Sequence, residues 1–221
     1  MPTRASAIVV RMLRLIAVPS LLPFVPLLLS FLPISQPKAP RGIFEGASDI
    51  GKTLPGLMVY DPATGEYRVS GGGADMWGAE DDFHMSWVKL SGDVTLSADV
   101  KFPADGGAIP LKKAVLMVRQ SLDPDASYAD VAVHGDGHIT LQYRETKGGP
   151  TADLTSTVHA PVRLKIERKG DQFTSYAGDT ASGPVKIVLH DPVYVGIGMC
   201  AHKADGIETA VFSKVKIEKG K

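Results

Sequence analysis

Residues 93–102 read Asp93-Val94-Thr95-Leu96-Ser97-Ala98-Asp99-Val100-Lys101-Phe102. Apolar and polar residues alternate along this stretch, so one set of side chains points to one face and the other set to the opposite face. Period-two alternation marks a half-buried antiparallel strand. The pattern recurs outward along the chain. Val162, Leu164 and Ile166 alternate with Arg163, Lys165 and Glu167, and Val215 and Ile217 alternate with Lys214, Lys216 and Glu218. Turn sequences separate the runs: Asp61-Pro62-Ala63-Thr64-Gly65, Ser91-Gly92-Asp93, Gly135-Asp136-Gly137 and Lys169-Gly170-Asp171. Each supplies a proline-fixed φ or a glycine that tolerates positive φ. No stretch beyond residue 40 keeps a 3.6-residue period over ten residues. The pattern predicts strands over 57–61, 66–70, 83–90, 93–102, 114–120, 128–134, 138–145, 153–157, 162–169, 172–178, 185–190, 193–201 and 208–218. Many short strands with regular turns predict an all-β sandwich or jelly roll. The absence of an internal repeat argues against a propeller.

The first 40 residues are built differently. Of 24 basic and 24 acidic groups in the 221-residue chain, residues 1–40 hold Arg4, Arg11, Arg14 and Lys38 and no acid, leaving 20 basic groups against 24 acids. All 23 glycines follow residue 41. Basic residues ahead of the apolar run Leu15 to Leu32 have the order of a secretory signal. The run is also about as long as a membrane span, roughly 17–25 residues. Pro19, Pro23, Pro26 and Pro33 interrupt it. Proline costs about 3 kcal/mol inside a helix, which serves an anchor helix poorly. The reading is therefore a signal peptide or N-terminal membrane anchor plus linker over 1–40, and a β-sandwich domain over 41–221. The domain is expected to be secreted or periplasmic, membrane-bound only if residues 15–32 stay uncleaved. Its acidic balance argues against phosphate-driven nucleic-acid binding.

Some strands depart from clean alternation. Ala114 to Val118 is apolar on both sides, predicting a central strand covered on both faces, and it ends in Arg119 and Gln120. Val193, Val195, Ile197 and Met199 share one face, with Tyr194, Gly196, Gly198 and Cys200 on the other. Glycine inside a strand marks close packing or a ligand floor. Cys200, the single cysteine, cannot form an internal disulfide and is expected to be a buried, inert thiol. The chain has no asparagine, so positive-φ turns are expected to use Gly or Asp.

Three blocks then become informative: Gly71–Trp87 (GGGADMWGAEDDFHMSW), Val115–Glu145 (VLMVRQSLDPDASYADVAVHGDGHITLQYRE), and Asp191–His202 followed by Glu208–Ile217 (DPVYVGIGMCAH, ETAVFSKVKI). In this order they resemble the enolase-regulator-like family of concanavalin A-like domains, often attached to TolB-like propellers in bacterial envelope proteins. The resemblance spans about Phe44 to Ile217. It implies a concanavalin A-like jelly roll of two antiparallel sheets with a concave and a convex face. It implies little chemistry, since one fold hosts many functions.

Glycan binding without a metal needs an aromatic platform and planar polar side chains, because sugars present an apolar C–H face and many hydroxyls. Trp77, in a glycine-rich loop, is the first ligand candidate; plugging one end of the core is its structural alternative. Trp87 shares a face with Phe83 and Met85 and is expected in the core, with His84 and Ser86 opposite. The ligand set is Trp77, His84, Arg119, Gln120, Asp130, His134, Gln142 and Arg144. An Arg144–Asp130 cross-strand ion pair is the bland reading of part of it.

No catalytic residue, metal or cofactor is assigned. The E-x-D-x-E or E-x-D-x-x-E run of concanavalin A-like glucanases does not occur, and Glu80-Asp81-Asp82 reads as a solvated loop. Asp123-Pro124-Asp125 and His134-Gly135-Asp136-Gly137-His138 offer too few oxygens for calcium. The leading expectation is an exported module binding a glycan or other envelope component. A hydrolase using Asp75, Asp81 or Asp130 is one alternative. A protein-interaction module of an envelope assembly is the other.

Overall fold

The computed structural model describes residues 41–104 and 108–220, so the leader read in residues 1–40 lies outside it. The described residues form strands and no helix. One sheet has seven strands, in the order β1 (Gly46–Ile50), β6 (Phe83–Leu90), β16 (Val193–Cys200), β8 (Lys113–Arg119), β9 (Tyr128–His134), β10 (Ile139–Arg144) and β11 (Ala152–Thr155). The second runs β14 (Thr180–Ala181), β13 (Gln172–Ala177), β12 (Arg163–Lys169), β7 (Val94–Lys101), β17 (Lys203–Lys219), β3 (Glu66–Gly73) and β2 (Leu57–Asp61), with β15 (Val185–Lys186) also on β13. A small hairpin pairs β4 (Met76–Trp77) with β5 (Glu80–Asp81). All the pairings are antiparallel.

The alternation in 93–102 becomes β7. Val94, Leu96, Ala98 and Val100 enter the main core, where they meet Leu164, Ile166, Leu116, Val131, Ile197 and Phe212. This core fills the space between the two sheets, as in a sandwich. Strand β8 is buried at all seven positions and lies centrally, between β16 and β9. Ala114, Leu116 and Val118 face the main core; Val115 and Met117 belong to a second apolar cluster on the sheet's outer face.

That second cluster explains what the alternation leaves unexplained. Met76 of the β4–β5 hairpin and Ile50 of β1 join Phe83, Met85, Tyr128, Ala132 and Cys200 in covering part of the outer face. Met76 is fully buried, and burying such a side chain stabilises by about 1.5–3 kcal/mol. So Met76, not Trp77, is the plug. The hairpin reverses through Gly78 and Ala79, and Gly78 takes φ 70°, as the first central residue of a type II′ turn requires.

Several local expectations are corrected, and those of close packing at Gly196 and Gly198 and of a buried thiol at Cys200 hold. Strands β1, β4, β5 and β14 were not predicted, being short or in turn-like sequence. Gly196 and Gly198 serve close packing, not a ligand floor: a Cβ on Gly196 would lie 1.9 Å from the Ser86 carbonyl oxygen, and one on Gly198 3.0 Å from the Phe83 ring. Among the described residues, positive φ outside glycine falls on His202 (52°) and Lys214 (49°), not on aspartate. Lys214 lies in a β17 irregularity, between Ser213 and Lys216, where pairing with β7 shifts register. Trp87 packs edge-on against Tyr194 on the outer face and is only half-buried. Cys200 is buried and unpaired, and burial pushes its thiol up to about 12, far from a reactive thiolate.

Candidate functional site

The outer face of the seven-stranded sheet has two polar ends. At one, Arg119 from the end of β8 and Arg144 from the end of β10 are fully buried around Asp81 of β5. Arg144 donates to both Asp81 oxygens, at 2.7 and 2.9 Å, and Arg119 reaches one at 3.4 Å. Arg119 also donates to the Ser121 and Asp123 carbonyls, both at 2.6 Å. Arg144 donates to the carbonyls of Gly78, Pro124, Ala126 and Gly149. The guanidiniums lie 5.3 Å (Arg119–Phe83) and 5.0 Å (Arg144–Tyr128) from aromatic rings. Burial works against both charges. It raises the Asp81 pKa despite the Arg144 hydrogen bond and the Arg119 charge, whereas Asp81 outweighs burial at Arg144 and holds it up.

This arrangement overturns three expectations. Asp81 is not in a solvated loop. Arg144 pairs with Asp81, not Asp130, because β10 sets Gln142 rather than Arg144 opposite Asp130. And Arg119 and Arg144 are not open to a ligand; they pin the β4–β5 hairpin and the 121–126 loop onto the sheet.

At the other end the face stays open as a cleft of about 320 Å³. Its lining comes from five places: Asp75 and Trp77 at the hairpin, Leu111 and Lys113 before and in β8, His134 and His138 around the β9–β10 turn with Thr140 and Gln142, Asp153 and Thr155 of β11, and His202 after β16. Trp77 is 43% exposed. Lys113 donates to the Asp75 carboxylate at 2.7 Å and the Met76 carbonyl at 3.0 Å, and its ammonium lies 5.7 Å from the Trp77 ring. His202 Nδ1 lies 3.5 Å from the same carboxylate. The left-handed backbone of His202 is uncommon for a non-glycine residue, and such strain concentrates at functional sites.

The cleft floor is unusual in its hydrogen bonding. The His134 and His138 rings stack at 3.7 Å, and His134 Nε2 lies 3.2 Å from the Thr140 hydroxyl. His134 and Gln142 are each only 3% exposed. Yet His134 Nδ1 and Gln142 Oε1 have no hydrogen-bond partner among the described residues. Buried polar groups without partners cost about 1–3 kcal/mol each. Neither atom is open to solvent, so a ligand gains from them once a side-chain rotation brings them to the cleft surface. Beneath them both Asp130 oxygens are likewise unpartnered: the Gln142 backbone amide is near, but no hydrogen bond of good geometry forms.

Charge follows from this packing. Burial, then His138 and Lys113, pushes His134 down to about 3, leaving a neutral imidazole at neutral pH. Burial also resists the Asp75 carboxylate, but the Lys113 charge, the hydrogen bonds and His202 prevail and hold its pKa below the ordinary value. Burial raises Asp130 well above it. Among the described residues, no three His, Cys, Asp or Glu side chains form a metal-binding group. Asp123 and Asp125 instead hold Lys147.

Of the eight ligand residues read from the sequence, the cleft brings together Trp77, His134 and Gln142. Asp130 lies on the same face but is fully buried. Gln120 is turned away: it donates to the His190 carbonyl and accepts from the His190 amide, at 2.8 and 2.7 Å. His84 faces the opposite way, its Nδ1 2.7 Å from Asp49. The sequence reading missed Lys113, Thr140, Asp153, Thr155 and His202. Alternation from Met117 and Arg119 places Lys113 on their face; nothing local marks His202.

No family model matches the chain, and no curated protein matches it in sequence. Solved structures do match in shape. A functionally unknown protein from Saccharomyces cerevisiae superposes with TM-score 0.54 and 16% identity, over 79% of this chain and all of that one. The carbohydrate-binding module CBM66 from Bacillus subtilis gives TM-score 0.52 and 20% identity, over 80% of this chain and 98% of the module. The fold is a concanavalin A-like jelly roll. At these identities the likeness extends to the fold alone.

Proposed function

We propose that this chain is an exported, enolase-regulator-like jelly-roll module that binds carbohydrate in the Trp77 cleft without catalysing its cleavage. One observation carries the reading: an exposed tryptophan stands beside two deeply buried polar side chains, His134 and Gln142, each with an unpartnered atom. A sugar ring stacks its C–H face on an indole while its hydroxyls serve as donor and acceptor together. The match in shape to a carbohydrate-binding module supports this reading through the fold. The basic, apolar leader supports export.

Hydrolysis is disfavoured on chemical grounds. A glycosidase needs a protonated acid and an ionised partner across the scissile bond. Of the two cleft carboxyls, Asp75 is held toward its ionised form beside Lys113 and Asp153 accepts from the Thr155 hydroxyl at 3.0 Å, while the carboxyl with a strongly raised pKa, Asp130, has no exposed surface. Asp81 is occupied by two arginines.

The test is an array of neutral and acidic polysaccharides probed with residues 41–221, comparing wild type with Trp77→Ala and Gln142→Met. Retention of at least one glycan, weakened tenfold or more by each substitution, is expected. Retention unchanged in both variants removes the cleft as the site. Retention of no glycan overturns this reading and favours a protein-interacting surface at edge strand β2, whose Leu57 and Val59 are 60% and 51% exposed.

A further inference from the structure

A second cavity, of about 370 Å³, opens at the lateral rim of the sandwich, between the edge strands β11 of one sheet and β14 of the other. Thr155 of β11 lines both this cavity and the Trp77 cleft, so the two adjoin across a single strand. The rim cavity carries hydroxyls on Thr155, Ser156, Thr157, Ser175, Thr180 and Ser182, and its other lining residues are apolar or glycine. No charged side chain among the described residues lines it. We propose that the two cavities form one extended site, and that its ligand is an uncharged oligosaccharide running from the cleft over β11 into the rim cavity. This rests on the carbohydrate reading above.

Thr155 already donates to Asp153, and Ser156 and Ser182 each accept from a backbone amide, all at 3.0 Å. A hydroxyl has one donor and two acceptors, so the capacity left on these groups and on Thr157, Ser175 and Thr180 suits the hydroxyls of a neutral sugar. A uronate or sulfate would find no cation in the rim cavity. In the cleft it would meet a Lys113 already engaged by Asp75, with the further carboxylate of Asp153 nearby. Counting histidines as neutral, the cleft's formal charge is −1, from Lys113 against Asp75 and Asp153. Like charges disfavour an anionic ligand. The crossing is short and accessible. β11 is exposed at all four residues, its outer edge is unpaired in the sheet, and one strand spacing is on the order of 5 Å. A polymer passing over an exposed edge strand meets free backbone donors and acceptors between the two cavities.

The experiment titrates residues 41–221, by calorimetry, with neutral gluco-, manno-, galacto- and fructo-oligosaccharides of two to six units and with uronate oligomers of the same lengths. Binding of one neutral series is expected to tighten about tenfold or more between its shortest and longest members. Uronate oligomers should bind at least tenfold more weakly at equal length. Ala181→Trp, at an exposed position of β14, should fill the rim and abolish the gain with length; Thr157→Trp does the same from the opposite side should the first variant fold poorly. A length gain that persists in both variants, or uronate binding equal to neutral binding, overturns the extended neutral site while the cleft reading stands. Failure of every oligomer to bind overturns the cleft reading, and this inference with it.

Discussion

At one end of the outer sheet face, Arg119 and Arg144 are buried around Asp81; at the other, His134 and Gln142 are almost as deeply buried, yet line a cleft. Both ends derive from the same three strands. Arg119 and Lys113 are two ends of β8, and Gln142 and Arg144 are neighbours on one face of β10. What separates them is the β4–β5 hairpin. Its Met76 and Asp81 cap one end, while Trp77, on the opposite side of the same short strand from Met76, is left exposed at the rim of the other. The capped end satisfies its polar groups internally and becomes structure. The uncapped end keeps unpartnered polar atoms and becomes a candidate site. A polar set on one sheet face is therefore not one patch until what covers it is known.

The comparison breaks most severely at its capped end. Asp81→Asn leaves two buried guanidiniums without their carboxylate, and removing one partner of a buried ion network costs about 3–5 kcal/mol. Urea unfolding should show the free energy of unfolding falling by that much, through a lower midpoint at an unchanged slope. A loss below about 1 kcal/mol would mean that the hairpin is held by Met76 alone.

The open end should respond to acid. His134 has its folded pKa, about 3, below the ordinary histidine value of 6.5. The unfolded chain therefore takes up the proton first. The stability due to the neutral imidazole is complete above pH 6.5 and drains away as pH falls toward 3. His134→Gln should lose less stability than wild type between pH 6.5 and 4, by an amount on the order of 1.4 kcal/mol per pKa unit of the shift that is realised. Equal acid slopes for the two proteins would place the histidine in contact with water.

Asp130 sharpens the comparison with the opposite sign. Its folded pKa is raised by burial, so its contribution is complete below the unfolded value of 3.8 and is lost as pH rises. Asp130→Asn should therefore stabilise the protein at pH 7–8 and have little effect near pH 4, read as a difference in thermal midpoint across that range. A destabilised variant at neutral pH would indicate an ionised Asp130 held by Lys113. The smallest effect belongs to Trp77→Ala. Half-exposed and outside both apolar clusters, Trp77 should cost the fold about 0.5 kcal/mol or less while abolishing most glycan retention.

The two regions also differ in how far the sequence revealed them. Side-chain patterning located β2, β6, β7, β8, β9, β10, β12, β13 and β16 within a residue or two, and the apolar run Ala114–Val118 identified β8 as buried on both faces. His134 and Gln142 could be named because strand period and residue chemistry coincide there, and Trp77 because it stands in a glycine-rich loop. His84 was misread because alternation says which residues share a face, not which face a ligand reaches. Arg144 was read as a ligand residue, with an ion pair to Asp130 as the alternative because cross-strand neighbours are the natural guess. Its true partner lies 63 positions away, in a two-residue strand too short to carry a period.

What the sequence by itself determined is the longer elements: antiparallel strands of period two, turned by Gly, Pro and Asp, behind a basic apolar leader. Those follow from local rules, since each residue's face and each turn's φ depend on near neighbours. Which end of the outer face is sealed and which is open was decided only in the tertiary structure. It depends on one short hairpin crossing the sheet, on Met76 finding an apolar bed, and on two distant arginines sharing one carboxylate. Those contacts join residues far apart in the chain, and no local pattern carries their energy.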